Sequence, residues 1–223
     1  MGLPVETVAR VRAYWGAWEA QTVMTDRVSV VVIGHERFAC APERLRGRID
    51  VEALTDISSL LAILGNDAED AVGEARLSYT DETTLRPVAT DGVTIVGDDD
   101  ARLAALRADS DPNEWAEAGA GDACELRYGV VDDDVLLAVA TLRIWDDALG
   151  QLGVFSAAYA RRRGLASKVG SAAVTHALTR GLVPQWRSRI DNMASARVAE
   201  QLGFVCLGRQ MTVRVTTHVD IDE

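Results

Sequence analysis

The segment 160–166 has the residue types that a phosphate-binding turn requires. Three arginines, Arg161, Arg162 and Arg163, stand directly before Gly164, between a short apolar run and an alanine-rich helical pattern. The first amide groups of a helix have no partner within it, and the helix dipole is positive there, so a helix beginning here would attract anions. Gly164 has no Cβ to hold a pyrophosphate away from the backbone. The segment therefore predicts a site for a phosphate-bearing ligand.

Strand and helix patterns surround this turn. The apolar residues 152–156 predict the strand that leads into it, and apolar residues at four-residue intervals predict a helix over 165–180. Similar patterns predict elements along the whole chain. The predicted helices cover 4–21, 54–64, 101–108, the residues after Asp111, and 192–202; the predicted strands cover 27–33, 38–41, 75–79, 85–89, 93–96, 125–131, 135–144 and 185–190, with a final hairpin of 204–207 and 210–217.

Composition limits the classes of protein that this chain can belong to. Its 223 residues are 48% hydrophobic and 26% charged, which is ordinary for a globular protein. The formal net charge of -11 argues against general nucleic-acid binding, because the field of the protein would repel a polyanion. The pattern of elements changes near residue 90. We therefore expect an N-terminal α/β module over 1–92 and a second domain over 93–223.

The cysteines and the apolar runs indicate a compartment. Cys40, Cys124 and Cys206 are odd in number, lie far apart and form no CxxC pair, so free thiols in a reducing cytoplasm are expected. The sequence shows no signal-peptide pattern, and no apolar run approaches the roughly 20 residues that cross a bilayer. We expect a cytoplasmic protein without a membrane partner.

No metal site is expected from the sequence. His35, His176 and His218 are scattered and lack the spacing of metal ligands. The consecutive aspartates 132–134 lie between two predicted strands, which is typical of an exposed turn.

A second motif lies downstream of the basic turn. It is a helical pattern that begins with Asn192 and ends in Gly203-Phe204, and one predicted helix and one predicted strand separate it from the first motif. The turn itself follows the pattern R/Q-x-x-G-x-G/A over 161–166. Together, in this order, the two motifs resemble those of the GNAT superfamily, the acetyl-CoA-dependent N-acyltransferases, and the resemblance covers about residues 93–215.

The resemblance implies a fold and a reaction. The fold would be α/β (α+β), with a central mixed, mostly antiparallel, splayed sheet flanked by helices. Residues 1–92 would be either a degenerate, partial copy of the same fold or a module that shapes the acceptor cleft. The reaction would be transfer of an acetyl group from acetyl-CoA to an amine by direct attack. The acceptor would be a small-molecule amine or a protein amino group, and the protein could form a homodimer.

The resemblance also assigns residues to the coenzyme. The amides of residues 162–166 would hold the pyrophosphate, and the strand before the turn would run beside the pantetheine arm, where a backbone amide polarises the thioester carbonyl. Asn192 would hydrogen-bond the pantetheine or the neighbouring backbone. The coenzyme-binding residues implied are Val154, Phe155, Ser156, Arg161, Arg162, Arg163, Gly164, Leu165, Ala166 and Asn192.

The acid and the base of the family cannot be carried over. Many members have a tyrosine seven residues after the asparagine, and this chain has Ala199 there. The strand before the turn holds no carboxylate. Ser195 and Tyr159 are candidate proton donors, and Glu125 is a candidate base acting through water. Coenzyme A thiolate is a good leaving group, so the reaction does not require a dedicated acid.

Two other functions share features with this sequence. The missing tyrosine and carboxylate also fit a catalytically silent member that binds coenzyme A or a protein partner. A nucleotide-binding βαβ unit of the dinucleotide type is disfavoured, because it requires a G-x-G-x-x-G turn and this turn lacks the first glycines.

Overall fold

The computed structural model of the chain describes residues 2–22 and 24–217, and these contain seven α-helices and nine strands. The helices are α1 Val5–Gln21, α2 Glu43–Arg46, α3 Ile57–Leu64, α4 Ala101–Ala108, α5 Pro112–Glu117, α6 Leu165–Thr179 and α7 Met193–Gln201. The strands are β1 Arg27–Ile33, β2 Glu36–Cys40, β3 Ala68–Tyr79, β4 Val93–Ile95, β5 Leu126–Asp132, β6 Val135–Trp145, β7 Leu149–Ser156, β8 Val183–Arg189 and β9 Val205–Val215. His218, one of the three histidines of the chain, lies outside the described residues.

Several predicted element boundaries are confirmed by local chemistry. α5 begins after Asp111, whose side chain accepts hydrogen bonds from the amides of Asn113 and Glu114. Pro112 fills the first helical position, where a missing N–H has no cost. The aspartates between β5 and β6 form a two-residue turn, in which Asp133 and Asp134 have φ of 46° and 62°. Aspartate tolerates this left-handed conformation better than most residues.

The predicted strand at 85–89 is wrong. β3 is one long strand that ends at Tyr79, and no strand is found in residues 80–92. The Asp81 side chain accepts hydrogen bonds from the amides of Thr83 and Thr84 and turns the chain. Beyond that turn, the Arg86 amide donates to the Leu202 carbonyl, so this segment satisfies its backbone by packing against helices.

The predicted final hairpin is also wrong, because β9 is a single strand. Gly208, at the expected turn, pairs with Ile33 in an antiparallel ladder that runs from Arg27 to Ile33 on β1. A Cβ at Gly208 would lie 1.8 Å from the Val32 carbonyl oxygen. The glycine therefore allows a close approach of two backbones and does not mark a turn.

The described chain forms two compact units that interleave in sequence. Of the described residues, the first comprises 2–7, 78–187 and 192–205; the second comprises 8–22, 24–77, 188–191 and 206–217. The boundary expected at residue 92 falls inside the first unit, because residues 78–92 pack within it. In the second unit, β1 pairs antiparallel with β2 and with β9.

The first unit contains strands in the order β8-β7-β6-β5-β4. β4, β5, β6 and β7 pair antiparallel, and β7 pairs parallel with β8. Side chains on the two faces of β7 pack in different cores. Leu152 belongs to a cluster with Val169 and Ala173 of α6, and Phe155 belongs to a cluster with Trp115 of α5. The predicted mixed, mostly antiparallel sheet flanked by helices is confirmed.

Replacing Gly203 with alanine should destabilise the first unit more than replacing Gly92. Both have positive φ (+89° and +75°), but a Cβ at Gly203 would lie 1.9 Å from the Thr84 carbonyl oxygen, whereas a Cβ at Gly92 meets nothing within 4 Å. We expect Gly203→Ala to lower the free energy of unfolding by about 3 kcal/mol or more, through a backbone clash. Gly92→Ala should cost about 1–2 kcal/mol, from left-handed strain alone.

Urea unfolding followed by circular dichroism measures both variants. Equal losses of unfolding free energy in the two variants would show that the backbone around Gly203 moves to accept a Cβ without destabilising the protein.

Candidate functional site

The candidate site begins where β7 and β8 separate. Their parallel pairing runs from Leu149–Val183 to Leu152–Trp186. β7 stays paired with β6 on its other side as far as Ser156. Among the described residues, residues 153–156 therefore have no strand partner on the β8 side. An extended ligand that carries amide groups can hydrogen-bond with such an edge. The two strands thus separate beside Val154, Phe155 and Ser156, and the coenzyme role of these residues stays a prediction.

α5 and the residues that follow it cover one face of this free edge. A Cβ at Gly153 would lie 2.2 Å from the Ala118 carbonyl oxygen and 2.5 Å from Thr141 Oγ1, so only glycine fits there. The rings of Trp115 and Phe155 meet edge to face, with centroids 5.2 Å apart. The end of α5 therefore lies directly over the first residue at which β7 and β8 are no longer paired.

The predicted phosphate turn lies at the N-terminus of α6. Gly164 is the residue before the helix; its φ is +76°, and no side chain caps the helix. A Cβ on Gly164 would meet nothing within 4 Å, so the space above the turn is open. The Lys168 amide donates to the Gly164 carbonyl, which leaves the amides of Leu165 and Ala166 ahead of the first helical hydrogen bond. This geometry fits an anionic group held by backbone amides.

Two of the three arginines point toward carboxylates of the chain itself. Arg161 forms an ion pair with Glu114 of α5, and its Nε donates to the Ser156 carbonyl at 3.4 Å. Arg163 lies 3.5 Å from Asp132. Arg162 has a φ of +64°, which shapes the turn. The backbone amides, more than the guanidinium groups, are thus the donors that this turn offers.

Asn192 connects α7 to α5. Its Oδ1 accepts a hydrogen bond from the Ser195 amide at 3.0 Å, which caps α7. Its Nδ2 donates to Glu117 Oε1 at 2.7 Å. Asn192 thus bonds neighbouring backbone, and its role toward pantetheine stays a prediction.

Ser195 lies beside the last paired residue of β8. Its hydroxyl oxygen accepts a hydrogen bond from Trp186 Nε1 at 2.9 Å. The hydroxyl hydrogen is therefore still available to a further acceptor. Glu117, Asn192, Ser195 and Trp186 form a continuous series of contacts from α5 to the point of strand separation. We refer to these four residues as the cleft chain.

The other catalytic candidates lie outside the cleft chain. Tyr159 precedes the phosphate turn and is 66% exposed. Glu125 Oε2 accepts a hydrogen bond from the Ile144 amide at 3.0 Å. Ala199 is 2% exposed and belongs to the apolar core with Leu202 and Phe204. The position where many family members carry a tyrosine is packed inside the protein.

Buried amides link β7 and β8 just before they separate. Gln185 Nε2 donates to Gln151 Oε1 at 2.6 Å, and Gln151 Nε2 donates to the Leu152 carbonyl at 2.8 Å. Both side chains are buried, so each hydrogen bond is expensive to break. This pair holds the two strands together up to the residue where their pairing ends.

The pKa of the Arg187 guanidinium is lowered by its surroundings. Desolvation is the largest cause, although part of the residue reaches the surface. The positive charge of Arg143 lowers this pKa further, and the negative charge of Asp122 raises it. Arg143 is itself paired with Asp122 at 2.7 Å. Burial raises the pKa of the Cys124 thiol. That thiol therefore stays protonated at neutral pH and is a poor nucleophile.

The described residues contain neither a metal-binding cluster nor a helix that could span a membrane. Residues 2–22 and 24–217 contain no group of three or more histidine, cysteine or acidic side chains placed to hold a metal ion. Within the same ranges, no helix combines the length and the apolar character needed to cross a bilayer. Cys40, Cys124 and Cys206 are all free thiols.

Glu117 is the site residue that the sequence analysis missed. The start signal at Asp111 and Pro112 already placed Glu114 and Glu117 three residues apart, on one face of a helix. That spacing indicates that the two carboxylates face the same side. It does not indicate their partners, because Arg161 and Asn192 lie 47 and 75 positions away in the sequence.

Comparison with known proteins places this site in a family context. The family model described as GNAT acetyltransferase matches residues 111–210, which include the phosphate turn and the cleft chain. No curated protein sequence matches the chain significantly. The resemblance predicted for the C-terminal part of the chain is confirmed.

Solved structures share the fold at low sequence identity. A GNAT-family protein from Novosphingobium aromaticivorans is 22% identical, with a TM-score of 0.56 over 73% of this chain and 80% of that one. A GNAT-family acetyltransferase from Colwellia psychrerythraea is 15% identical, with a TM-score of 0.53 over 96% and 98%. A GCN5-related N-acetyltransferase-like protein from Streptococcus suis is 15% identical, with a TM-score of 0.51 over 94% and 98%. With the family match, these likenesses support an acyltransferase.

Removing the Asn192 side chain should weaken α7. Asn192→Ala leaves the Ser195 amide without its cap, which we expect to lower the free energy of unfolding by about 1 kcal/mol. Asn192→Ser keeps a capping oxygen and should lose a few tenths of a kcal/mol. Arg197→Ala, at an exposed position of the same helix, is the control and should change stability by less than about 0.5 kcal/mol. Chemical denaturation compares the three, and similar losses for alanine and serine would contradict the capping role.

Proposed function

We propose that the protein transfers an acetyl group from acetyl-CoA to an amine. The observation that carries this proposal is the separation of β7 and β8 beside the uncapped N-terminus of α6. A free strand edge and a set of unpaired helix amides suit the two polar parts of coenzyme A, its amide-bearing arm and its pyrophosphate.

The residues that would hold the coenzyme fit its chemistry. The amides of residues 162–166 would bind the pyrophosphate, and the open space above Gly164 leaves room for it. The N–H and C=O of Val154 and the N–H of Ser156 face away from β6 and would pair with the arm and orient the thioester. Phe155 lies between them and directs its own backbone groups toward β6. When bound, the coenzyme supplies an activated acyl group. A backbone N–H of the free edge would stabilise the negative charge that develops on the carbonyl oxygen.

Direct attack by the amine is favoured over an acyl-enzyme. A cysteine nucleophile needs a lowered pKa, whereas burial raises that of Cys124. The enzyme would then act mainly by holding the amine and the thioester in reacting geometry.

Ser195 is the best-placed proton donor for the departing sulfur. Trp186 Nε1 occupies one lone pair of its hydroxyl oxygen and fixes the oxygen at the end of β8. The hydroxyl hydrogen is left to point toward a second acceptor. Ser195 also lies one helical turn before Ala199, on the same side of α7.

The acceptor, partner and compartment are part of the proposal. An acidic protein, with a net charge of -11, attracts cationic amines, either small molecules or protein amino groups. The same charge disfavours nucleic acid, and we propose no membrane partner. A homodimer and a cytoplasmic location complete the proposal; the three free cysteines suit a reducing compartment.

Titration calorimetry with acetyl-CoA and with CoA tests the binding step, and release of CoA against a panel of amines tests the reaction. Absence of binding at high micromolar concentration would overturn the proposal. Binding of acetyl-CoA without turnover on a broad panel of amines would favour the silent coenzyme-binding module. The buried Ala199, at the position of the family's tyrosine, fits that alternative.

A negative charge at Gly164 should weaken binding of acetyl-CoA. Asparagine and aspartate both tolerate the φ of +76° and have nearly equal volumes, so Gly164→Asn is a matched control for Gly164→Asp. We expect the aspartate variant to have a Kd at least about tenfold above that of the asparagine variant, because a carboxylate repels the pyrophosphate over a few ångströms. Calorimetric titration measures both. Equal affinities would place the pyrophosphate elsewhere.

Removing the Ser195 hydroxyl should slow turnover. We expect Ser195→Ala to lower kcat roughly tenfold to hundredfold, at the low end of general acid catalysis, because thiolate is a good leaving group. Ser195→Thr keeps the hydroxyl and should recover most of the rate, and the Kd for acetyl-CoA should stay within about twofold of wild type in both variants. A wild-type kcat in the alanine variant would exclude Ser195 as the donor.

A further inference from the structure

We propose that Glu117 receives the acceptor amine, so that preferred acceptors are amines that arrive as ammonium ions. This inference rests on the proposed acyl transfer and adds the residue that binds and deprotonates the acceptor. It starts from the position of Glu117 at the end of α5, where the next residue, Ala118, places its carbonyl against Gly153 of β7.

Glu117 is held in place but keeps its charge available. Its Oε1 accepts one hydrogen bond from Asn192 Nδ2 at 2.7 Å. Within residues 2–22 and 24–217, its Oε2 makes no hydrogen bond, and the side chain is exposed. An amide donor orients a carboxylate without neutralising it. The carboxylate therefore remains an acceptor for a cation that enters the cleft.

Four other carboxylates of the same unit already have partners within the chain. Each is bound to a cation of the chain or to a backbone amide, and so offers less to an arriving ammonium ion. They are Glu114 with Arg161, Asp122 with Arg143, Asp98 with Arg127, and Glu125 with the Ile144 amide. Glu117 differs from the three ion-paired carboxylates because its partner, Asn192, is neutral, and from Glu125 because its hydrogen bond comes from a side chain at the start of α7.

Asn192 acts as a positioning residue in this arrangement. Its Oδ1 is fixed by the Ser195 amide, which forces its Nδ2 to face Glu117. Ser195 is fixed in turn by Trp186 at the end of the paired part of β8. The cleft chain thus places a carboxylate and a hydroxyl on one hydrogen-bonded framework beside the free edge of β7.

The reaction balances with these two groups. The ammonium ion gives a first proton to Glu117, which passes it to water. The neutral nitrogen then forms a bond to the acyl carbon, and the carbon–sulfur bond breaks with its electron pair going to sulfur. Sulfur takes the proton of the Ser195 hydroxyl, and the second proton lost by nitrogen restores that hydroxyl through water. The net change is one amide, one thiol and one proton released.

Glu117→Gln tests the role of the charge. Glutamine keeps an oxygen that can accept from Asn192, but it can neither bind an ammonium ion strongly nor take its proton. We expect kcat/KM for an alkylamine, whose conjugate acid has a pKa of about 10, to fall roughly hundredfold to thousandfold at neutral pH. An aromatic amine that is already unprotonated should lose less than about tenfold, because it needs no deprotonation before attack. The Kd for acetyl-CoA should not change.

Two further variants complete the experiment. Glu82→Gln, at an exposed glutamate in a turn of the same unit, is the matched control and should keep wild-type rates. Glu117→Asp keeps a carboxylate on a shorter stem and should retain at least about ten times the alkylamine activity of Glu117→Gln. If the glutamine variant is poorly folded, the aspartate variant is compared with wild type instead. Its kcat/KM for the alkylamine should then fall by more than its kcat/KM for the aromatic amine, and equal falls would overturn the role of Glu117.

The outcomes separate this inference from the proposed function. If wild type transfers acetyl groups and Glu117→Gln keeps its rate on alkylamines, the role of Glu117 is wrong while acyl transfer stands. Equal losses on the alkylamine and the aromatic amine would also overturn it, because they would indicate a structural effect. If wild type binds no acetyl-CoA, the proposed function fails and this inference fails with it.

Discussion

The end of hydrogen bonding between β7 and β8 is the constraint on which the site depends. Parallel strands normally continue to pair for as long as their backbones stay close, and here the pairing stops after Leu152 and Trp186. The buried amides of Gln151 and Gln185 hold the strands together up to that point. Beyond it, β7 keeps its ladder with β6 on one side only. The resulting free edge presents oriented backbone donors and acceptors to an extended ligand, and one of them, the Ser156 carbonyl, accepts from Arg161 Nε.

α5 stabilises both sides of this opening although it has only six residues. Glu114 pairs with Arg161 at the phosphate turn, and Glu117 bonds Asn192 at the start of α7. The helix is anchored on its other side by the contact of Trp115 with Phe155. One short helix therefore contacts the turn that would hold the donor and the residues that would hold the acceptor. A displacement of α5 would change both ends of the cleft together.

Local signals in the sequence predicted the elements that carry the site. Asp111 with Pro112, and Asn192, mark helix starts because their side chains satisfy amides only a few residues away. Gly164 stands out in the sequence because it lacks a Cβ beside three arginines, and the structure adds that its φ is +76°. Gly208 was misread because the same residue type also serves close backbone approach, as it does against Val32. Residues 85–89 were misread because an extended apolar segment can pack on helices as well as in a sheet.

The sequence by itself determined the order of strand, turn and helix around Gly164, the start of α7 at Asn192, and the likeness to acyltransferases in the C-terminal part. These depend on contacts between residues that are close in the chain. Only the tertiary structure decided that Glu117 faces Asn192, that Trp186 bonds Ser195, and that Ala199 is buried in the core. Such choices depend on which helix packs over which strand. No local sequence pattern predicts these contacts. They are stabilised by burial and by hydrogen-bond geometry that exist only after the chain has folded.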